Sequence, residues 1–213
     1  DVPVATVLTL DTSASLGVSR LEALKRAGRA LLDRLVPGDA AALITFNTLV
    51  ARPVKMTTDL DQARRALGAV RTAGDTSLID AAVAALLVGE SDAGRTLVVV
   101  FSDGIDTRSF LSADSARATA RRANSVVYGV WSGSGQPEFL RQLADVTGGR
   151  VLDIGGRDPG PAFVEILQEF RQRYVITFVP DAPSAGWHAL DIRVKRPGVK
   201  VQARAGYFGA ARP

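Results

Sequence analysis

The sequence predicts an α/β fold: a doubly wound, mostly parallel, Rossmann-like sheet flanked by helices, with a C-terminal antiparallel β appendage. Three observations predict it. In the first 173 residues, β-rich runs alternate with runs of helical periodicity, the order typical of a parallel sheet covered by helices. The run TLVVVF at 96–101 is almost wholly apolar, as strands buried on both faces are. The helical pattern then ends, so we divide the chain into a main domain, 1–173, and a β-strand extension, 174–213.

The first half of the main domain begins with a short β-rich strand at 4–10. Leucines and alanines recur on one side of 20–35, which predicts a helix that a Pro-Gly-Asp sequence ends. Two further strands, 40–46 and 49–54, are separated by an Asn-Thr turn and are expected to form a hairpin. A Thr-Asp pair can then cap a helix over 58–70.

The second half of the main domain continues this alternation. Three strands are predicted from apolar runs at 96–101, 125–131 and 150–154. Apolar spacing, together with helix-starting and helix-ending residues, predicts the helices around them. These helices cover 78–88, 112–123, 137–147 and 161–173. Right-handed crossovers between parallel strands then make the sheet doubly wound.

The extension changes character because its runs alternate between apolar and polar residues. Strands are predicted at 174–179, 188–194 and 199–205, with an Arg-Pro-Gly turn between the last two. The apolar face of these strands is expected to pack on the main domain or on a neighbouring module. Four basic side chains are expected on a solvated outer face: Arg193, Lys195, Lys200 and Arg204.

Composition excludes several classes of protein. The chain has 213 residues, 46% of them hydrophobic, which is enough for a sizeable core. It has no cysteine, which excludes a disulfide framework, a cysteine zinc site and thiol catalysis. No apolar run is as long as a membrane span, so membrane insertion is not expected. The first residues lead directly into a strand-like run, so we expect no signal peptide in this chain, which would be a mature or trimmed form.

The net charge of +4 and the pI of about 9.8 favour acidic partners. Nucleic acid is not predicted as a partner, because the arginines are spread among acidic residues with no basic run that interleaves aromatic side chains. The oligomeric state is not predicted by any feature of the sequence.

Polar residues cluster where the predicted strands end. Asp11, Ser13 and Ser15 follow the first strand, Thr76 precedes an apolar helix, and Asp103 follows the strand TLVVVF. The carboxyl ends of parallel strands meet at one edge of a sheet, which is where such folds bind ligands. Alternate residues of an extended loop point the same way. Hydroxyl and carboxylate oxygens suit a hard cation such as Mg²⁺, so these residues predict a metal site.

This set resembles the metal-ion-dependent adhesion site of von Willebrand factor A domains. The resemblance implies that Ser13, Ser15 and Thr76 are direct ligands and that Asp11 and Asp103 bind directly or through water. It also implies that an exposed Asp or Glu carboxylate of a protein or peptide partner completes the coordination. Mg²⁺ is the expected cation, with Mn²⁺ or Ca²⁺ as alternatives. The implied function is a cation-dependent adhesion or scaffold module, not an enzyme.

The resemblance covers residues 4–173, and one position departs from the family pattern. Asp75 stands before the threonine, where the family has a small residue, and it would either add a carboxylate near the metal or face solvent. Some relatives change affinity by moving the last helix, here 161–173. The extension resembles the end of exported bacterial proteins related to this family, which implies a secreted, cell-envelope or periplasmic location.

Two other functions stay open at this point. Asp11 and Asp103 loosely resemble the aspartates of a Mg²⁺-dependent phosphoryl hydrolase, although such a dehalogenase-type motif has aspartate where this chain has Ser13. Alternatively, the metal would only stabilise the loops of a scaffold. The single histidine, His188, lies in the extension and is expected to be structural, while Trp131 is expected to pack in the core or to rim the site.

Overall fold

The computed structural model describes residues 2–90, 96–180 and 184–209. The main domain contains six strands: β1 (Ala5–Asp11), β2 (Ala40–Phe46), β3 (Val50–Thr57), β4 (Thr96–Ser102), β5 (Val126–Trp131) and β6 (Val151–Asp153). Its six helices are α1 (Gly17–Leu32), α2 (Leu60–Ala69), α3 (Leu78–Val88), α4 (Ala113–Arg122), α5 (Glu138–Thr147) and α6 (Gly160–Arg171). Every element predicted for this domain is present, with shifts of a few residues at the ends.

The six strands form one sheet in the order β3-β2-β1-β4-β5-β6. All neighbouring strands are parallel except β3, which pairs with β2 as an antiparallel hairpin. Strand β1 lies at the centre, where Ala5 pairs with Ala40 on one side and with Thr96 on the other. Every residue of β1 and β4 is buried, as expected for strands covered on both faces. The predicted doubly wound fold is confirmed.

Helices cover both faces of the sheet and enclose two hydrophobic cores. Helices α1, α2 and α6 contribute to one core, in which Phe101 and Phe163 pack with ring centroids 6.5 Å apart. Helices α3, α4 and α5 contribute to the other, which contains the buried indole of Trp131. Trp131 is therefore a packing residue of this core. No helix within the described ranges is long and apolar enough to cross a membrane.

The topology reverses between β1 and β4. The chain leaves β1 through α1 on one face of the sheet and enters β4 after α3 on the other face. A doubly wound sheet leaves a crevice at such a switch point, outside the carboxyl ends of its strands. Here β1 ends with Asp11 and β4 ends with Ser102. The polar residues that follow both strands are thereby brought together.

Helix α6 is tied to the domain by polar contacts along its last turns. The hydroxyl of Tyr128 donates to Glu169 at 2.8 Å, and the guanidinium of Arg150 bonds to both Glu169 and Glu165. Burial, followed by the hydrogen bond to Glu169, raises the pKa of Tyr128 to about 12. These contacts join α6 to Tyr128 of β5 and to Arg150.

The extension contains a two-stranded antiparallel sheet, β7 (Gly186–Ala189) and β8 (Gly206–Gly209). The predicted antiparallel appendage is confirmed, but the prediction is wrong for most of the residues that it assigned to strands. Residues 174–179, 190–194 and 199–205 form no strand. A strand needs a neighbouring strand with which its backbone groups can pair. Tyr174 begins the first of these segments and is 92% exposed. The division of the chain at residue 173 stays a prediction.

Arg204 does not lie on a solvated face as the alternation predicted. Its guanidinium donates to the main-chain oxygens of Ala123 at 2.7 Å and Arg121 at 3.1 Å, at the end of α4. A cation at this position satisfies carbonyl groups that a helix end leaves without partners. Burial lowers the pKa of Arg204. The main-chain N–H of Ala205 adds a bond to the oxygen of Val146 at 3.3 Å.

Arg204→Ala is expected to release the extension from α4 and to lower the free energy of unfolding by about 1–2 kcal/mol, because the carbonyl groups of Ala123 and Arg121 lose a charged donor. Limited proteolysis should cut the extension faster while the main domain stays intact. Arg193→Ala is the matched control, since the Arg193 side chain is 86% exposed and, among the described residues, forms an ion pair with Asp191 alone. Equal protease resistance of the two variants would show that Arg204 does not anchor the extension.

Candidate functional site

Asp11 is the fully buried end of β1, and both of its carboxylate oxygens accept hydrogen bonds. The N–H of Ser13 donates to Oδ1 at 2.9 Å, and the hydroxyl of Ser102 donates to Oδ2 at 2.7 Å. Burial raises the pKa of Asp11, the bonds from Ser13 and Ser102 oppose that shift, and the nearby charge of Asp103 adds to it. A positive charge at this point would therefore stabilise the ionised carboxylate.

The two serines connect Asp11 to the loop after β4. The hydroxyls of Ser13 and Ser15 lie 3.1 Å apart, and the Ser15 hydroxyl donates to Oδ1 of Asp103 at 3.1 Å. A short 3₁₀ turn at Ala14–Leu16 places Ser15 at this position before α1 begins. Four of the five predicted site residues thus form one continuous chain of polar contacts.

Thr76 reaches the same edge of the sheet from the loop before α3. Its side chain is 6% exposed, and its main-chain oxygen accepts a bond from the N–H of Thr107 at 2.9 Å. A β-carbon added to Gly104 would lie 3.6 Å from the Thr76 hydroxyl, so this hydroxyl lies beside the loop that carries Asp103. The N–H of Ala14 bonds to the oxygen of Gly74 at 2.9 Å and joins the first and second loops.

The Thr76 hydroxyl makes no hydrogen bond to the other four residues within the described part of the chain. It is the one predicted ligand that approaches the cluster without bonding to it. We call Asp11, Ser13, Ser15, Thr76 and Asp103 the oxygen cluster.

The carboxylates of Asp75 and Asp106 lie on neighbouring loops, outside the oxygen cluster. Asp75 is 59% exposed on its side chain and forms an ion pair with Arg108 at 3.5 Å, so it faces solvent. Asp106 accepts the N–H of Ile79 at 3.0 Å and the hydroxyl of Ser109 at 2.5 Å. It thereby caps the first turn of α3 from the neighbouring loop.

Sequence reasoning missed two residues of the site, Ser102 and Arg20. Ser102 holds one oxygen of Asp11, and the guanidinium of Arg20 bonds to Oδ2 of Asp103 at 3.3 Å. The side chain of Asp103 is 2% exposed, whereas that of Arg20 is 55% exposed. Ser102 stands beside Asp103 in the sequence, which was a usable signal. The role of Arg20, in the first turns of α1, depends on the direction of a long side chain.

The donor set of the cluster is all oxygen: three hydroxyls and two carboxylates. No group of three or more His, Cys, Asp or Glu side chains suited to a metal is found among the residues that the structure describes. A hard cation that keeps part of its water shell fits hydroxyl and carboxylate ligands. His188 is remote, since its ring bonds to Ser184 at 2.9 Å and stacks on Tyr207 in the extension.

Comparison with known families agrees with this fold. Residues 6–105 match the family model of the von Willebrand factor type A domain. The main domain therefore has the fold of von Willebrand factor type A domains. The matched residues include all five members of the oxygen cluster. No curated protein matches the sequence significantly.

Solved structures share the type A fold at low sequence identity. An aerotolerance-related membrane protein from Bacteroides fragilis is 19% identical with a TM-score of 0.66, and the match covers 80% of this chain and 100% of that one. A type A domain protein from Catenulispora acidiphila is 21% identical with a TM-score of 0.64, over 80% and 41% of the two chains. The PilB minor pilin of Streptococcus sanguinis is 12% identical with a TM-score of 0.67, over 81% and 62%.

Proposed function

We propose that this chain is a protein-binding module that holds an acidic residue of its partner through a divalent cation, Mg²⁺ in the first instance. The observation that carries the proposal is the oxygen cluster at the switch point of the sheet. Four of its side chains are already in mutual contact, and the fifth lies beside them. Such a preformed set needs little rearrangement to accept a cation.

The charge of the cluster supports an incoming carboxylate. Its two aspartates carry two negative charges, and the guanidinium of Arg20 offsets part of the charge of Asp103. Its three hydroxyls are neutral. A divalent cation bound here would therefore keep a net attraction for an external carboxylate.

Exposed apolar side chains at the same edge of the sheet support a protein partner. Five of them lie on the loops and on the helix start around the cluster: Val18, Leu49, Ile105, Phe110 and Leu111. The side chain of Phe110 is 96% exposed although its N–H is fixed to Asp80 at 3.0 Å. Aromatic side chains on rigid backbone are common anchors in protein interfaces.

The position of the single histidine argues against a hydrolase. General base catalysis needs a titratable group within hydrogen-bond reach of the attacking water, and His188 lies in the extension. The two aspartates are held by Ser13, Ser102, Ser15 and Arg20. We therefore propose binding without chemistry, in a secreted or cell-envelope protein.

Thermal melting of chelator-stripped protein tests the cation. Added Mg²⁺, Mn²⁺ or Ca²⁺ should raise the melting temperature saturably, by about 5 °C or more at a hundredfold excess over the dissociation constant. Ser13→Ala/Ser15→Ala should abolish this rise, and Ser134→Ala, an exposed serine outside the cluster, should leave it unchanged. No rise with any cation would refute the proposal.

Amide chemical shifts test the carboxylate. In Mg²⁺, the peptide acetyl-Gly-Glu-Gly amide should shift the amide signals of residues 13–16 and 103–107, and the glutamine peptide should not. The shifts should vanish in chelator. A cation that raises the melting temperature without any glutamate-dependent shift would establish a metal-stabilised scaffold instead.

A further inference from the structure

A polar cleft of about 240 Å³ lies beside the oxygen cluster, between α1 and the loop that leads into α6. Its floor is the end of β4 and the residue that follows β5. The side chains that matter here are Arg20, Arg26, Phe101, Ser132, Arg157 and Asp158. We call this the arginine cleft. We propose that it is a second anion-binding subsite, which takes a further carboxylate of the same acidic partner segment; the identity of that partner rests on the proposed function.

The cleft carries more positive charge than its own groups neutralise. Three arginines and one carboxylate, Asp158, line it, and one of the arginines, Arg20, also pairs with Asp103 of the oxygen cluster. Arg26 forms no ion pair with any residue in the described ranges. The carboxylate of Asp158 accepts the N–H of Gly160 at 3.1 Å at the start of α6. An anion entering the cleft would reduce the repulsion among the guanidinium groups.

Arg157 is held in place while part of its guanidinium remains available. Its Nε donates to the oxygen of Ile154 at 2.8 Å, and Nη2 lies 3.5 Å from the oxygen of Asp153. The hydroxyl of Ser132 makes no hydrogen bond within the described part of the chain and adds a donor to the floor. Planar guanidinium groups with fixed orientation bind carboxylates through paired hydrogen bonds.

Arg20 connects the cleft to the oxygen cluster. It lines the cleft, and its guanidinium is 3.3 Å from Oδ2 of Asp103. A cation at the cluster would compete with Arg20 for this carboxylate and would free its donors for an anion in the cleft. Cation binding and anion binding are then coupled with positive sign, and each strengthens the other. The matching partner segment carries two acidic residues close together.

Binding of a fluorescent tetra-aspartate peptide tests the cleft, first in chelator and then in Mg²⁺. The double variant Arg26→Ala/Arg157→Ala should weaken binding about tenfold or more in both buffers, because it removes two charge-assisted contacts. Arg52→Ala/Arg65→Ala is the matched control, since it removes the same charge from exposed positions on β3 and α2. An equal loss in both double variants, or no loss in the first, would overturn the proposal.

Two further measurements distinguish a failure of this proposal from a failure of the proposed function. The cleft variant should keep the wild-type rise in melting temperature with Mg²⁺, whereas Ser13→Ala/Ser15→Ala should lose that rise and keep arginine-dependent peptide binding in chelator. A wild-type rise in melting temperature with Mg²⁺, together with peptide binding that the cleft variant does not weaken, would overturn the cleft and leave the cation module standing. Inorganic phosphate serves as the competing anion: tighter arginine-dependent binding of phosphate than of the peptide would overturn the assignment to carboxylate.

Discussion

Asp11→Asn is expected to weaken Mg²⁺ binding about 100-fold or more while the cation-free protein stays as stable as the wild type. The amide oxygen can still accept the N–H of Ser13, and the amide nitrogen can donate to the Ser102 hydroxyl. Ser102 then donates to the main-chain oxygen of Gly104, which already lies 2.9 Å away. The substitution removes a buried charge, and burial disfavours that charge when no cation is bound. Calorimetric titration and melting in chelator measure the two effects.

Asp106→Asn is the control for this prediction, because Asp106 caps α3 and lies outside the oxygen cluster. It should bind Mg²⁺ as the wild type does. Unchanged Mg²⁺ affinity in Asp11→Asn would remove Asp11 from the site. A folded Asp11→Asn protein whose melting temperature does not respond to Mg²⁺ would show that the charge of Asp11 serves cation binding and not stability.

Asp39→Ala is expected to lower the free energy of unfolding by about 3 kcal/mol, the largest stability effect that we anticipate. The Asp39 side chain is 1% exposed and accepts the N–H groups of Val4 at 2.9 Å and Val36 at 2.8 Å. It also forms an ion pair with Arg171 at the end of α6. Alanine would leave the buried N–H of Val4, the N–H of Val36 and a half-buried guanidinium without this partner. Urea denaturation measures the loss.

Asp33→Ala is the matched control, since Asp33 is 60% exposed and pairs with Arg64 on the surface. Its expected cost is about 0.5 kcal/mol. Asp39 lies at the edge of the sheet opposite the oxygen cluster, so the Asp39→Ala protein should keep its Mg²⁺ response at temperatures where it is folded. Equal costs for the two variants would show that Asp39 contributes no more than a surface charge.

The main domain was predictable because its signals are local and strong. The uninterrupted apolar run of β4 and the spaced leucines of α1 each determine a buried face without reference to the rest of the chain. The extension was not predictable to the same extent. Residues 174–179 have strand propensity, but a strand also needs a neighbour, and pairing depends on distant residues that periodicity does not reveal.

The candidate site was also predictable only in part. Strand ends placed Asp11 and Asp103 at one edge, because topology alone brings these positions together. The contributions of Arg20 and Arg204 depend on where long side chains turn, and the structure places one on Asp103 and the other on the end of α4. Neither direction follows from residue type or spacing.

Titration of chelator-stripped protein with Mn²⁺, followed by electron paramagnetic resonance, tests the central claim most directly. Free Mn²⁺ gives a six-line signal that is lost on binding, so the titration counts bound ions. We expect one bound Mn²⁺ per chain, displaced by Mg²⁺, and no binding in Ser13→Ala/Ser15→Ala. Mn²⁺ that stays free, or that binds the double variant as it binds the wild type, would contradict a cation site at the oxygen cluster.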